Sequence, residues 1–274
     1  MTENNKRKYS IIVVTFNNAE GLERTLGSIR QLDYPNREVI VIDGGSKDDT
    51  CNIIAANNDI ITVAVSEKDT GIYNAMNKGI KHVTGDYVVF MNAGDLFSHK
   101  DVLKWVSDYD GDIILGGETY GGKVRMVKEK MTLYDILSIG LNHQAVYYRR
   151  AILQKYGFDE SYKLIADLKS VVEPLAKEHA SVSCITKILA VCDGDGVSQQ
   201  RWRDTIIENR RIVNEVVEPF YKDDYLRFSR INNEMLGHFI ILSHFRSLFP
   251  LLKLLSKIAV FINKRYKHIP IEGI

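Results

Sequence analysis

An α/β fold, built on a mostly parallel central sheet with helices on both faces and followed by a helical C-terminal tail, is predicted by three features of the sequence. Apolar β-branched runs alternate with segments of helical periodicity. The runs are near-continuous rather than alternating, which marks strands covered on both faces. Polar residues gather just past the carboxyl end of each run, where open α/β sheets bind their ligands. The 274 residues suffice for one large core and an appendage. The expected division is a domain over 1–200 and a helical region over 201–274.

Taken in order, Ser10 to Phe16 reads as the first strand. The polar turn Asn17-Asn18 follows, and Leu22, Leu26 and Ile29 then recur at helical spacing. Glu38 to Asp43 repeats the pattern and stops at Gly44-Gly45-Ser46, before a helix from about Asp49. Ile60 to Ser66 is the third strand. The helix expected over Gly71 to His82 sets Ile72, Met76 and Ile80 on one face and Tyr73, Asn77 and Lys81 on another. Asp86 to Met91 is the fourth strand and ends at Asn92-Ala93-Gly94-Asp95. Further strands are expected at Asp112 to Gly117, Gln144 to Tyr148 and Val182 to Val191, with a helix near Ile165 to Lys177.

The apolar share of 45% and charged share of 26% suit a folded globular protein, and a net charge of +1 gives no global attraction to nucleic acid. Three cysteines, Cys51, Cys184 and Cys192, form neither a CxxC pair nor an even disulfide set and read as buried, reduced thiols. The polar stretch Met1 to Lys8 lacks the apolar core of an export signal. The expected location is the cytoplasm.

Each polar loop has both a structural and a chemical reading. Asp43 before two glycines suits a turn, and equally a carboxylate open to a base N–H or ribose hydroxyl, with bare backbone at Gly44 permitting close approach. Asn17 or Asn18 can cap the first helix. Asp69 can cap the helix that follows it, whose amide ends also suit an anion.

The ordered set SIIVVTFNN, EVIVIDGGSKDDT, EKDTGIYNAMNKGI, GDYVVFMNAGD, the pair His143-Gln144, and SYKLIADLK resembles family 2 glycosyltransferases over about residues 8 to 200. The resemblance implies the glycosyltransferase A type of fold. It also implies inverting transfer of a sugar from a nucleoside-diphosphate sugar, with a UDP-sugar the first guess, to a hydroxyl of a saccharide or lipid-linked saccharide. By the same resemblance, Thr15, Phe16 and Asn17 border the nucleobase, and Asp43 and Gly44 meet the nucleoside. Asp69, Asn77 and Asn92 lie near the donor, and His143 and Gln144 orient sugar or diphosphate. Asp95 closes the metal-binding Asp-x-Asp signature and is the expected ligand of Mg²⁺ or Mn²⁺, an oxygen donor suited to a hard cation. Gly94 stands where many relatives carry a second aspartate. Asp167 matches the base-bearing segment and is the expected general base. The loop Asp193 to Ser198 is a candidate cover for the site.

Between Met235 and Ile271 there are six Lys or Arg and no Asp or Glu. A helix over Ser247 to Lys267 would set Lys253, Lys257, Lys264 and Lys267 near one stripe and Leu251, Leu255, Ile258 and Ile262 opposite. This helix reads as peripheral contact with an anionic membrane, or as packing on the domain or a partner. Membrane contact would place the protein at the inner face of the plasma membrane, beside a lipid-linked acceptor of bacterial surface polysaccharide assembly. A nucleotide-sugar-binding module without turnover is the competing function. A dinucleotide-dependent dehydrogenase is excluded, because Thr15 to Gly21 lacks a Gly-rich first turn.

Overall fold

The computed structural model describes residues 7–193 and 201–217. Four parallel strands form its first half in the order β3-β2-β1-β4, comprising β1 (Tyr9–Thr15), β2 (Arg37–Asp43), β3 (Val63–Ser66) and β4 (Tyr87–Asn92). Every residue of β1 is buried, and β2 and β4 are buried save for one end residue each, as continuous apolar strands require. The edge strand β3 alternates half-buried and exposed residues instead.

Between the strands run α1 (Ala19–Arg30), α2 (Thr50–Ala56) and α3 (Ile72–Ile80). Asn18 caps α1 by accepting from Gly21 N, and Leu22, Leu26 and Ile29 face the core. In α3 the expected faces are redistributed. Tyr73 is buried while Ile72 is 40% exposed, because the helix packs both on the sheet and against Phe158, which stacks on the Tyr73 ring. Cys184 and Cys192 are buried as expected, whereas Cys51 on α2 is exposed.

The second half is mixed rather than parallel. It contains β5 (Leu96–Phe97), α4 (Val102–Ser107), β6 (Ile113–Tyr120), β7 (Lys123–Arg125) and α5 (Leu133–Ile139). A 3₁₀ turn (His143–Ala145) leads into β8 (Val146–Arg149), followed by α6 (Arg150–Tyr156), α7 (Ala166–Glu178), β9 (Val182–Cys192) and α8 (Trp202–Val216). The sheet continues from β4 through β8, β6 and β9 to β5, with β8 antiparallel to both neighbours and β6 parallel to β9. The compact unit extends to Val217 and so includes α8, beyond the boundary expected at residue 200.

The strand register aligns the chemistry. Thr15 pairs with Asp43, Asp43 with Ser66, and Val14 with Asn92, so four polar strand ends share one rim. At the opposite end of the sheet, the buried Glu38 carboxylate accepts from Ser10 Oγ at 2.5 Å and Thr84 N at 2.6 Å and pairs with Lys8 at 2.7 Å. Burial raises its pKa, but the bonds from Lys8, Ser10 and Thr84 outweigh that and hold it at about 2.

Among the described residues no helix is long and apolar enough to cross a membrane. The amphipathic segment Ser247 to Lys267 lies outside the described residues, as does Gly194 to Ser198 of the expected cover loop.

Candidate active site

A cleft of about 460 Å³ opens on that rim. Its walls take Thr15, Phe16 and Asn18 from the end of β1, Asp69, Ile72 and Tyr73 from around the start of α3, and Asn92 and Asp95 from the end of β4. The second half contributes Tyr120, Asn142, His143, Gln144, Lys163, Leu164, Asp167, Cys192 and Asp193. The structure thus brings together Thr15, Phe16, Asp69, Asn92, Asp95, His143, Gln144 and Asp167 from the expected set.

The other four expected residues, Asn17, Asp43, Gly44 and Asn77, do not line the cleft. Asp43 is fully buried and accepts from Ser46 N at 3.1 Å, Ser46 Oγ at 2.5 Å and Ser66 Oγ at 2.5 Å. Gly44 packs so closely on Asp69 that a Cβ would lie 2.5 Å from the Asp69 Oδ2 atom. Asn17, at φ 48°, accepts from Lys47 N at 2.8 Å. The Asn77 amide donates to Phe158 O at 2.8 Å and Glu160 Oε1 at 2.9 Å and accepts from Phe158 N, which ties α3 to the loop before α7.

Asp95 is 4% exposed. Its Oδ2 accepts from Gln144 Nε2 at 2.6 Å and Asn92 N at 3.1 Å, and its Oδ1 accepts from Asp193 N at 3.2 Å. Burial pushes its pKa up, against the lowering effect of the Gln144 bond and the His143 ring. Gly94 beside it has φ 113°, and a Cβ there would meet Asp193 Oδ2 at 2.8 Å. A side chain at 94 would therefore be strained by the backbone conformation and would also displace the exposed Asp193 carboxylate. The carboxylate that fills the space comes from the end of β9, where Arg24 pairs with it at 3.0 Å.

Asp167 lies in the first turn of α7 and is 8% exposed. Its Oδ2 meets His143 Nδ1 at 3.1 Å, while its Oδ1 accepts from Leu168 N at 2.9 Å and from the Tyr73 hydroxyl at 3.4 Å. Burial, with the Asp167 charge adding to it, drives the Tyr73 hydroxyl well above its usual pKa, so this phenol stays a donor. His143 Nε2 faces Asn92 Oδ1 at 3.1 Å. A chain of polar contacts therefore runs from Asp95 through Asn92 and His143 to Asp167.

Among the described residues, no three His, Cys, Asp or Glu side chains group as a metal cage. The donors at Asp95 nevertheless fit a hard cation bound largely through phosphates and water. One buried carboxylate is present, and the buried Gln144 Oε1 beside it has no hydrogen-bond partner.

Tyr73, Tyr120, Asn142 and Lys163 escaped the sequence reading as cleft residues. Helical spacing placed Tyr73 on the wrong face, because it cannot register the Phe158 loop packing from outside. Lys163 stood inside the quoted SYKLIADLK segment, four residues ahead of Asp167, and that position was its only signal.

The glycosyl transferase family 2 model matches residues 10–158. An uncharacterized glycosyltransferase of Mycobacterium tuberculosis is 29% identical over 223 residues, covering 76% of this chain and 83% of that protein. A PGL/p-HBAD biosynthesis glycosyltransferase of Mycobacterium bovis is 30% identical over 169 residues, covering 58% of this chain and 66% of that protein. Among solved structures, Staphylococcus aureus TarS 1-349 in complex with UDP-GlcNAc aligns with a TM-score of 0.65 at 20% identity, covering 85% of this chain and 75% of that one. The mannosyltransferase PcManGT from Pyrobaculum calidifontis, in complex with GDP-Man and Mn²⁺, aligns with a TM-score of 0.61 at 19% identity, covering 96% and 83%. These two share the glycosyltransferase A fold with this chain. With the family model spanning more than half of its length, the chain belongs to glycosyl transferase family 2 and is a glycosyltransferase.

Proposed function

We propose that the enzyme moves a sugar, with inversion, from a nucleoside-diphosphate sugar to a hydroxyl of a saccharide or lipid-linked saccharide, and that a UDP-sugar is the first donor to test. The observation that carries this reading is the polar chain Asp95-Asn92-His143-Asp167, which links two buried carboxylates across one cleft. Two carboxylates with separate duties are what inverting transfer needs: one at the departing diphosphate, the other at the incoming hydroxyl. Relatives in complex with UDP-GlcNAc and with GDP-Man and Mn²⁺ support the donor class and the metal.

In this reading Thr15 and Phe16 meet the nucleoside, with Phe16, 62% exposed, offering an apolar ring at the cleft mouth. Asp43, Gly44 and Asn17 hold the loop on which that surface rests, and Asn77 fixes α3 beneath Asp69. Asp95, with Gln144 beside it, would hold Mg²⁺ or Mn²⁺, which when bound stabilises the diphosphate leaving group. Asp167 accepts the proton of the acceptor hydroxyl as its oxygen bonds to the anomeric carbon and the bond to the diphosphate oxygen breaks. His143 and Tyr73 fix the orientation of that carboxylate, and Asn92 fixes His143. A surface-polysaccharide role and peripheral membrane contact belong to this proposal through the basic amphipathic segment near the C-terminus.

The test is release of nucleoside diphosphate from UDP-, GDP- and dTDP-sugars with Mn²⁺, Mg²⁺ or EDTA and lipid-linked acceptors. Selective, metal-stimulated release that is lost in Asp95→Ala and Asp167→Asn is expected. Tight donor binding without turnover across all acceptors would overturn transfer in favour of a binding module.

A further inference from the structure

Helix α7 begins without a cap of its own, since the N-cap residue Ile165 offers no side-chain hydrogen bond. Amides at a helix start need partners from elsewhere. Here the partner for the entering backbone is a single carboxylate on α8. Glu208 Oε1 accepts from Lys163 N at 2.8 Å, and Glu208 Oε2 accepts from Leu164 N at 3.0 Å and Ile165 N at 3.1 Å.

The same face of α8 continues the attachment at Arg211 and Glu215, spacings that stack on one side of a helix. Arg211 donates to Ser161 Oγ at 2.9 Å and lies 4.1 Å over the Tyr162 ring. Glu215 Oε2 accepts from the Tyr162 hydroxyl at 2.8 Å and from Lys169 Nζ at 3.0 Å. Residues 161–165 are therefore fastened to α8, and Asp167 follows two positions later. None of Glu208, Arg211 and Glu215 lines the cleft.

We infer that Glu208 is a positioning residue for Asp167: its carboxylate fixes the backbone of Lys163 to Ile165 and so sets where the first turn of α7 carries the base. The inference rests on the reading of Asp167 as general base. A carboxylate is required at 208, because three N–H donors converge on it and an amide would replace one of its acceptor oxygens with a further donor. Its negative charge also favours the start of a helix. Thr15, Phe16, Asp69 and Asp95 come from the first half, whereas Glu208 holds only the backbone of residues 163–165, so disturbing it is expected to act more on turnover than on donor affinity.

The experiment uses the full chain as wild type, Glu208→Gln, Glu208→Asp and Asp167→Asn. Nucleoside-diphosphate release gives kcat, calorimetry gives the donor Kd, and hydrogen exchange reports on the amides of residues 163–168. Glu208→Gln is expected to lower kcat by about 10- to 100-fold, since misplacing a reacting group by about 1 Å has that scale of effect. Its donor Kd should stay within about twofold, with exchange accelerated at 163–168 and unchanged in β1 to β4. Glu208→Asp, which keeps the charge, should recover most of the turnover. Wild-type kcat in Glu208→Gln, or a loss matched by donor Kd and by exchange throughout the sheet, would overturn the assignment. Unchanged exchange at 163–168 refutes the clamp and leaves Asp167 in place as base. Full activity of Asp167→Asn with fast exchange in Glu208→Gln refutes the base, and with it the positioning role given to Glu208.

Discussion

The loops after β2 and β4 look alike in composition, each placing an aspartate at the rim beside glycine, yet only the second turns its aspartate to the cleft. Asp43 is fully buried and spent on its own surroundings, with two serine hydroxyls and a backbone amide filling it. Asp95 is nearly as buried but lies against the cleft, beside an amide oxygen that has no partner, and burial drives its pKa up. Each carboxylate accepts from three donors, so what separates the two is place: Asp95 lines the cleft and Asp43 does not.

The largest effect expected from this contrast falls on the second half of the cleft. Asp167→Asn should reduce turnover by roughly a thousandfold, within the usual range for a lost general base, with donor affinity and melting temperature little changed. Activity near wild type would remove the division between pinned and working carboxylates at its most important point.

Next comes Glu118 on β6, which is 2% exposed. Burial raises its pKa to about 7 from 4.5, even though Arg125 lies 2.9 Å away and lowers it. Its folded pKa exceeds its unfolded one, so its contribution to stability is fully present below about pH 4.5 and is lost as pH rises to about 7. Denaturant unfolding at pH 5 and pH 8 should show wild type weakening across that window, by no more than about 3 kcal/mol from this group. Glu118→Gln should flatten the change, and an unaltered slope would count against the assignment.

Asp43→Asn should destabilise the fold by about 2 kcal/mol, because it strands donors from Ser46 and Ser66. Asp95→Asn also turns one acceptor oxygen into a donor, but it removes a charge that burial makes costly, so it should destabilise the fold less than Asp43→Asn does at pH 8, while metal-dependent donor binding is lost. If thermal unfolding shows both variants equally destabilised, the distinction between the two loops fails.

Much of this architecture was readable in advance. The run Ser10 to Phe16, the stop at Gly44-Gly45 and the run Asp86 to Met91 each show local periodicity, and parallel strands buried on both faces are a local signal. The second half was harder, because β5 and β7 are two and three residues long and their existence depends on partners distant in sequence. The site divides in the same way. That Asp95 and Asp167 line one cleft was legible from motif position, whereas the burial of Tyr73 depends on Phe158 and the anchoring of residues 163–165 depends on Glu208. Neither dependence leaves a periodic trace. Gly94 was legible as a departure, but its backbone at φ 113°, beside a carboxylate arriving from residue 193, was not.

That arrival has a consequence for when the enzyme becomes competent during its own synthesis. Asp95 is completed by an amide 98 residues farther along the chain, so the first four strands can pair as they emerge while the cleft still lacks a wall. Contacts of such long separation form late. A nascent chain that has not yet delivered β9 therefore lacks one wall of the cleft, and ribosome-bound chains ending before residue 180 should bind donor more weakly than the full chain.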